Sequence, residues 1–250
     1  MRSKSMYVLL SMVMLLAAGA VVYVSVSAAE EKEAEAPFWK ANEKRLAKGE
    51  SKEVSLKGKE ASIDSRLLER EAEIRCKKLE AEKALIEGSE TKEDGQGKGI
   101  LRLSECALWV NEGGGLKERK ECEVKTITTN TLNAKLWYEG KLGVGKEPVT
   151  VFEPPSKEVA KITIAKFISK CPFEGTYTLE GEFAAKVGSL NKESKELTFN
   201  LPKPAISPVW QPQFGGHEKP VALKLNGVAA TLQAEALLTL TAGGIFSVNN

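Results

Sequence analysis

The stretch that decides the fold is C-P-F-E-G-T-Y-T-L-E-G-E-F, which runs from Cys171 to Phe183. Its odd-numbered positions are apolar or glycine, whereas carboxylates and hydroxyls occupy the even positions after Pro172. Because successive side chains of a strand point to opposite faces, this pattern predicts a strand with one face on a core and one in water. The same alternation recurs elsewhere in the chain, between turns rich in Gly and Pro. The sequence therefore predicts a mainly β fold, an antiparallel β-sandwich or barrel-like domain.

The amino terminus carries the features of an export signal. Arg2 and Lys4 precede an apolar run over residues 6–26, and small residues then lead into the charged segment that begins at Glu30. This order is typical of a secretory signal peptide, but the run is also long enough to span a bilayer. We therefore expect residues 1–29 to be a signal peptide or a signal-anchor helix, followed by a charged spacer over residues 30–36. Residues 37–250 are then expected to form a single disulfide-linked β domain, secreted or held at the cell envelope.

Composition excludes several classes of function. The formal net charge is +2 over 250 residues, which leaves no electrostatic footprint for nucleic acid. His217 is the only histidine in the sequence, so a multi-histidine metal site is excluded and no cofactor is expected. Residues 140–147 resemble a phosphate-binding loop, but Glu147 and Pro148 occupy the positions where Ser or Thr and a helix are needed. A hairpin loop is the simpler interpretation of this stretch.

The cysteines indicate disulfide bonds. Cys76, Cys106, Cys122 and Cys171 all lie in the exported part of the chain. An even number of cysteines in an oxidising compartment indicates two disulfides, for which three connectivities are open. Cys106 and Cys122 flank a Gly-rich stretch at the ends of two predicted strands. We therefore expect Cys106 to pair with Cys122 at the base of a hairpin loop, and Cys76 to pair with Cys171.

Tryptophan side chains are the candidate ligand-binding groups. Trp137 and Trp210, and also Trp109, could stack on sugar rings, although a lone Trp more often lies in a core or at its edge. A carbohydrate-binding module that uses Trp137 or Trp210 is therefore one alternative for the function.

Carboxylates supply a second alternative. Glu174, Glu180 and Glu182 could form the acid and base pair of a hydrolase, although their regular alternation is more simply the wet face of a strand. The favoured function is a non-enzymatic secreted or cell-envelope protein, structural or ligand-binding. Its expected partner is a cell-wall or extracellular glycan or a protein, and it would contact a membrane only through an uncleaved N-terminal segment.

Residues 65–87 are ambiguous on local physics. Leu, Glu, Lys, Arg and Ala dominate this stretch, and their intrinsic propensities favour a helix. Ala72, Ile74 and Cys76 nevertheless alternate with charged residues, as they would in a strand. The residues themselves leave both assignments open.

A series of short motifs follows a fixed order along the chain: Phe38-Trp39-Lys-Ala-Asn42, Leu46-Ala-Lys-Gly49-Glu50, Ile74-Arg-Cys76, Leu103-Ser-Glu-Cys106, Cys122-Glu-Val124, Thr128-Thr-Asn-Thr-Leu132 and Ile168-Ser-Lys-Cys171. In this order the chain resembles a group of uncharacterised secreted four-cysteine β proteins of soil actinobacteria, and the resemblance covers roughly residues 38–190. It implies a disulfide-linked β fold and offers no function. It also implies that residues 65–87 contain a strand that ends near Cys76.

Overall fold

The computed structural model describes residues 36–88, 95–141, 147–167, 170–203, 205–211 and 217–250. These residues belong to one compact unit, and its regular elements are antiparallel β-strands, which confirms the predicted fold class. The expected signal or anchor, and most of the loop that resembles a phosphate-binding loop, lie outside the described residues. Within these ranges there is no helix of the length and apolarity needed to cross a membrane.

Eighteen strands are present in the described part of the chain. They are β1 (Phe38–Ala41), β2 (Lys44–Arg45), β3 (Ser51–Leu67), β4 (Arg70–Glu87), β5 (Gln96–Asn111), β6 (Leu116–Val124), β7 (Ile127–Thr128), β8 (Leu132–Glu139), β9 (Pro148–Glu153), β10 (Glu158–Lys166), β11 (Gly175–Gly181), β12 (Phe183–Val187), β13 (Glu196–Leu201), β14 (Val209–Gln211), β15 (His217–Lys219), β16 (Leu223–Leu225), β17 (Val228–Leu240) and β18 (Phe246–Asn249).

Four long strands form a central sheet in the order β17-β3-β4-β5. At one end of these strands, β6, β10, β11 and β16 connect β5 back to β17 and close an upper ring. At the other end, β8, β9, β12 and β13 make the corresponding connection and close a lower ring. Every neighbouring pair is antiparallel. The two rings share the long strands, and we call the region where they meet the waist.

The alternation seen in the sequence decides which face of each strand points into the rings. In the opening stretch, Cys171, Phe173, Leu179 and Phe183 are buried, as predicted. The stretch is not the single strand that was predicted, because residues 171–174 form a turn before β11 and the rest is divided between β11 and β12, with a break at Glu182. Apolar side chains from both rings join in one hydrophobic cluster, so the ring interior is the core of the domain.

The ambiguous residues 65–87 are strand rather than helix. They supply the end of β3 and almost all of β4, which pairs with β3 on one side and with β5 on the other. Ala72, Ile74 and Cys76 are buried in the interior. The burial of this apolar face between two long neighbours outweighs the local helical propensity, which is a weak preference by comparison.

A small separate sheet closes the open end of the lower ring. It consists of β1 between β18 and β2, so the first and last strands of the domain pair with each other. Trp39 stacks on Phe246 with ring centroids 6.5 Å apart. A Cβ atom on Gly95 would lie 2.6 Å from Trp39 Cδ1, so only glycine permits this close approach of the small sheet to the ring.

The disulfide pairing differs from the prediction. Two disulfides are present, but Cys76 is bonded to Cys106 and Cys122 to Cys171. Cys76 and Cys106 are register partners on β4 and β5, which places them directly opposite each other at the waist. The predicted pairs were wrong because the register between β4 and β5, which decides the nearest neighbour of Cys106, could not be derived while residues 65–87 were unassigned.

Candidate functional site

A concave groove with a volume of about 1290 Å³ crosses the outer face of the waist. We call it the waist groove. It crosses the middle of all four long strands and continues to the end of β13. Its lining residues are Lys57–Ser62, Glu73, Arg75, Cys76, Lys77, Glu105, Ala107, Trp109, Glu118, Asn200–Lys203 and Gln233–Leu237.

Irregularities in the long strands lie along the waist groove. The β3–β17 register shifts between Glu235 and Ala236, and Glu105 of β5 has a φ of 56°. Such irregularities bend a strand and increase its local twist, which accounts for a concave outer face at this level. Gly58 lies at the same level, where an added Cβ atom would be 2.7 Å from the carbonyl oxygen of Glu235. The close approach of β3 to β17 therefore requires glycine at this position.

Trp109 is the aromatic side chain of the waist groove. It is half-buried, and the guanidinium carbon of Arg75 lies 4.4 Å from the centroid of one of its rings. Arg75 also donates a hydrogen bond of 2.6 Å to the Glu73 carboxylate. This hydrogen bond raises the pKa of the Arg75 guanidinium above its ordinary value. The small side chain of Ala107, the register partner of Arg75, leaves space beside the indole.

Asp64 organises one edge of the waist groove. Its carboxylate accepts hydrogen bonds from Lys203 at 3.2 Å, from the Thr231 hydroxyl at 3.3 Å and from the Gln233 amide. The contact with Lys203 links the chain that follows β13 to the upper part of β3. The amide of Gln233 is thereby held in a fixed position on the groove wall.

The waist groove has no net charge. Its lining contains five cationic and five anionic side chains. The cations are Lys57, Lys59, Arg75, Lys77 and Lys203, and the anions are Glu60, Glu73, Glu105, Glu118 and Glu235. A surface of this kind offers many hydrogen-bond donors and acceptors without attracting a strongly charged polymer.

The two tryptophans proposed from the sequence as exposed ligand-binding groups are buried, so that assignment needs correction. Trp137 is 5% exposed and packs with apolar residues of β9 on the outer side of the lower ring. Trp210 is 3% exposed, and its ring centroid lies 4.9 Å from that of Tyr138. Neither indole presents a face to solvent. Trp109 does line an open surface, and the sequence signal that distinguishes it is its alternation with Leu108 and Val110, which are buried on the opposite face of β5.

The carboxylates proposed from the sequence do not converge in the waist groove. Glu174 and Glu180 are exposed on the upper ring, whereas Glu182 forms an ion pair of 2.9 Å with Lys219. Two other carboxylates do face each other in the groove, because Glu60 and Glu235 are register partners on β3 and β17.

The described carboxyl groups with a clear pKa shift are all shifted downwards. A hydrogen bond from a lysine is the main cause for Glu50, Glu105 and Glu147, whose partners are Lys52, Lys78 and Lys186 in that order. A hydrogen bond from its own backbone is the main cause for Glu121. A raised pKa is typical of a carboxyl group that acts as a general acid, and none of these four groups has it.

The lower ring contains a second, apolar space. It is a cavity of about 60 Å³, several times the roughly 10–15 Å³ that a single water needs. Small side chains on the surrounding strands, such as Ala84, Gly97 and Ala134, leave this space unfilled. Thr150 of β9 also lines it, and its buried hydroxyl has no hydrogen-bond partner among the described residues.

Comparison with protein-family models, with curated proteins and with solved structures finds no match. The chemistry of the waist groove is therefore the basis for a functional assignment.

Proposed function

We propose that this protein is an exported, non-enzymatic binding protein of the cell envelope or extracellular space, and that it holds a glycan strand in the waist groove. The observation that carries the proposal is Trp109, a half-buried indole on the wall of an open groove of about 1290 Å³. A groove of this volume is large enough for several sugar units, because pockets for drug-sized ligands are typically about 300–1,000 Å³.

Two features support export. The sequence begins with a basic, apolar and small-residue pattern typical of a secretory signal. The four cysteines form two disulfides, which is compatible with an oxidising compartment. Disulfides of this kind are rare in the reducing cytosol, so both features favour an extracellular location.

The groove chemistry favours a glycan over a nucleic acid or a strongly charged peptide. Sugar rings combine an apolar face, which stacks on an indole, with hydroxyls that both donate and accept hydrogen bonds. Trp109 offers the indole on β5, while Gln233 and Asn200 offer amides on β17 and β13, at the other side of the same groove. The equal numbers of acidic and basic side chains give no net attraction for a phosphate backbone.

The test is binding of residues 33–250 to a glycan array, followed by titration of the best oligosaccharide. We expect Trp109→Ala to weaken binding by at least tenfold, because truncation of an aromatic anchor typically costs more than about 1.4 kcal/mol. Trp109→Phe retains an aromatic face and should keep most of the affinity. Trp210→Phe is the matched control, since it makes the same replacement at a buried position outside the groove. Absence of glycan binding, or equal affinity in Trp109→Ala and wild type, would contradict the proposal.

A hydrolase remains the second candidate because Glu60 and Glu235 face each other in the groove. In glycoside hydrolases, two carboxylates flank the scissile bond. The bound oligosaccharide should therefore be incubated with wild type and with Glu60→Gln and Glu235→Gln, and new reducing ends should be measured. A binding protein leaves the oligosaccharide intact. Cleavage by wild type that either variant abolishes would show that the protein is an enzyme.

A further inference from the structure

Exposed apolar side chains are concentrated at the upper end of the rings. Among the described residues, five large hydrophobic side chains are exposed. They are Leu68 (63%), Leu116 (38%), Phe167 (64%), Val228 (41%) and Leu237 (45%). Leu237 lies on the outer wall at the waist, and the other four lie at the ends of strands or in the turns between them.

The pairing of the strands places these four side chains at the same end of the molecule. In the upper ring, the consecutive pairs β3–β4, β5–β6, β10–β11 and β16–β17 are each joined by a short connection. Since all neighbours around this ring are antiparallel, all four connections lie at its open end. Each connection has one of the four exposed side chains: Leu68 and Phe167 lie within their connections, and Leu116 and Val228 are the first residues of β6 and β17. We call these four residues the apolar tips.

The turn between β3 and β4 is strained around its apolar tip. Leu68 and Glu69 have φ values of 48° and 64°, a left-handed conformation that bulky residues rarely adopt. The turn between β16 and β17 has the same geometry but uses Asn226 and Gly227, the residues that suit it. Exposed leucine in a strained turn is unfavourable for folding, and such outliers often mark functional positions.

Cations outnumber carboxylates around the apolar tips. Within three residues of the tips, the described chain has six cations and three carboxylates. The cations are Arg66, Arg70, Lys117, Arg119, Lys166 and Lys170, and the carboxylates are Glu69, Glu71 and Glu118. Arg70 and Arg119 form ion pairs with Glu112. The other four cations are exposed and have no ion-pair partner among the described residues.

We propose that the apolar tips insert into the surface of an anionic lipid bilayer, with the surrounding lysines and arginines against the lipid phosphates. Apolar side chains flanked by cations are the combination that binds the interface of anionic membranes. A second copy of the chain fits less well, because a stable protein interface needs about 1,000 Å² of complementary surface rather than four separate tips. This contact is distinct from the N-terminal apolar run and from the glycan proposed for the waist groove.

The test uses residues 33–250, since the rings, the small sheet and both disulfides all lie in this compact unit. This fragment also lacks the N-terminal apolar run, which would itself partition into lipid. Binding is measured by co-sedimentation with vesicles of phosphatidylcholine and phosphatidylglycerol, and with vesicles of phosphatidylcholine alone. We expect binding to the anionic vesicles that weakens as salt is added.

Two sets of variants separate the apolar and the charged contributions. Leu68→Ser combined with Phe167→Ser should lower the partition coefficient at least tenfold, because two largely exposed apolar side chains can no longer be buried in lipid. Leu237→Ser is the matched control, because Leu237 is an exposed leucine at the waist, away from the tips. This variant should bind the vesicles as wild type does. Lys117→Gln combined with Lys166→Gln should reduce binding to anionic vesicles.

Several results would overturn the proposal. Failure of wild type to bind the vesicles would contradict it, and so would a double serine variant that binds them as well as wild type does. Loss of vesicle binding in Leu237→Ser would also contradict it. Self-association of wild type that the double serine variant abolishes, measured by analytical ultracentrifugation without lipid, would instead assign the tips to a second copy of the chain. The melting temperature of each variant is measured alongside, and the tip positions are solvent-exposed, so the variants are expected to fold.

Discussion

Replacement of Thr150 by valine should stabilise the protein. The Thr150 side chain is 4% exposed and lines the apolar cavity of the lower ring, where its hydroxyl has no hydrogen-bond partner among the described residues. Burial of a hydroxyl without a partner costs about 1–3 kcal/mol. Valine has nearly the same shape and is also β-branched, so it removes this cost without a change in strand preference. We expect the free energy of unfolding to rise by about 1–2 kcal/mol.

Thr129 provides a control with the opposite expected sign. It is 6% exposed, and its hydroxyl accepts a hydrogen bond of 2.9 Å from the backbone N–H of Leu101. Thr129→Val therefore leaves a buried N–H without its acceptor and should lower the unfolding free energy by about 1–3 kcal/mol. The same chemical change, at similar burial in the same fold, is thus expected to stabilise at one position and destabilise at the other.

Urea denaturation of residues 33–250 with intact disulfides, followed by tryptophan fluorescence, measures these differences. A change of 1 kcal/mol corresponds to a shift of roughly 2–4 °C in melting temperature for a domain of this size, so calorimetry gives an independent check. Thr150→Ser keeps the hydroxyl and deletes a buried methyl group, which should cost about 1 kcal/mol. If Thr150→Val were neutral or destabilising, or if both valine variants changed stability in the same direction, the reasoning from the unpaired hydroxyl would be refuted.

Two further predictions concern the disulfides and the response to pH. Non-reducing peptide mapping should find Cys76 linked to Cys106 and Cys122 linked to Cys171, and a peptide that links Cys106 to Cys122 would contradict the pairing. With sequence separations of 30 and 49 residues between the bonded cysteines, the chain-entropy model gives losses of about 3.6 and about 4.1 kcal/mol when each bond is removed. Lys186 lies 2.8 Å from both Glu139 and Glu147, and its hydrogen bond lowers the pKa of Glu147 below the ordinary 4.5. This contribution to stability is complete above pH 4.5 and is lost as pH falls through the lower folded value, so the stability difference between wild type and Lys186→Gln should shrink in acid. A difference that stays constant down to low pH would argue against the ion pair as its cause.

The sequence was sufficient to predict the local pattern of the strands. The alternation in residues 171–183 correctly predicted which side chains are buried, because successive side chains of a strand point to opposite faces. The even number of cysteines likewise predicted two disulfides. The local pattern left residues 65–87 open, since helical propensity and strand alternation predicted different structures for the same residues.

The waist groove could not be predicted in this way. Trp109, Trp137 and Trp210 are all plausible surface residues in sequence, and the two that were favoured are buried. The outer side of β8 and β9 is covered by later residues, among them Ile206, Val209 and Val221, which bury Trp137 in a second apolar cluster. No local pattern predicts this covering, because it depends on where a segment distant in sequence packs.

By itself, therefore, the sequence determined the mainly β class, the inward and outward faces of the strands, and the presence of two disulfides. These properties depend on neighbouring residues or on a simple count. Tertiary structure alone decided the disulfide partners, the closure of both rings, the burial of Trp137 and the grouping of the apolar tips. Each of these features depends on strand register and on the packing of segments far apart in the chain. Register and long-range packing are determined by the free energy of the whole fold rather than by local preference.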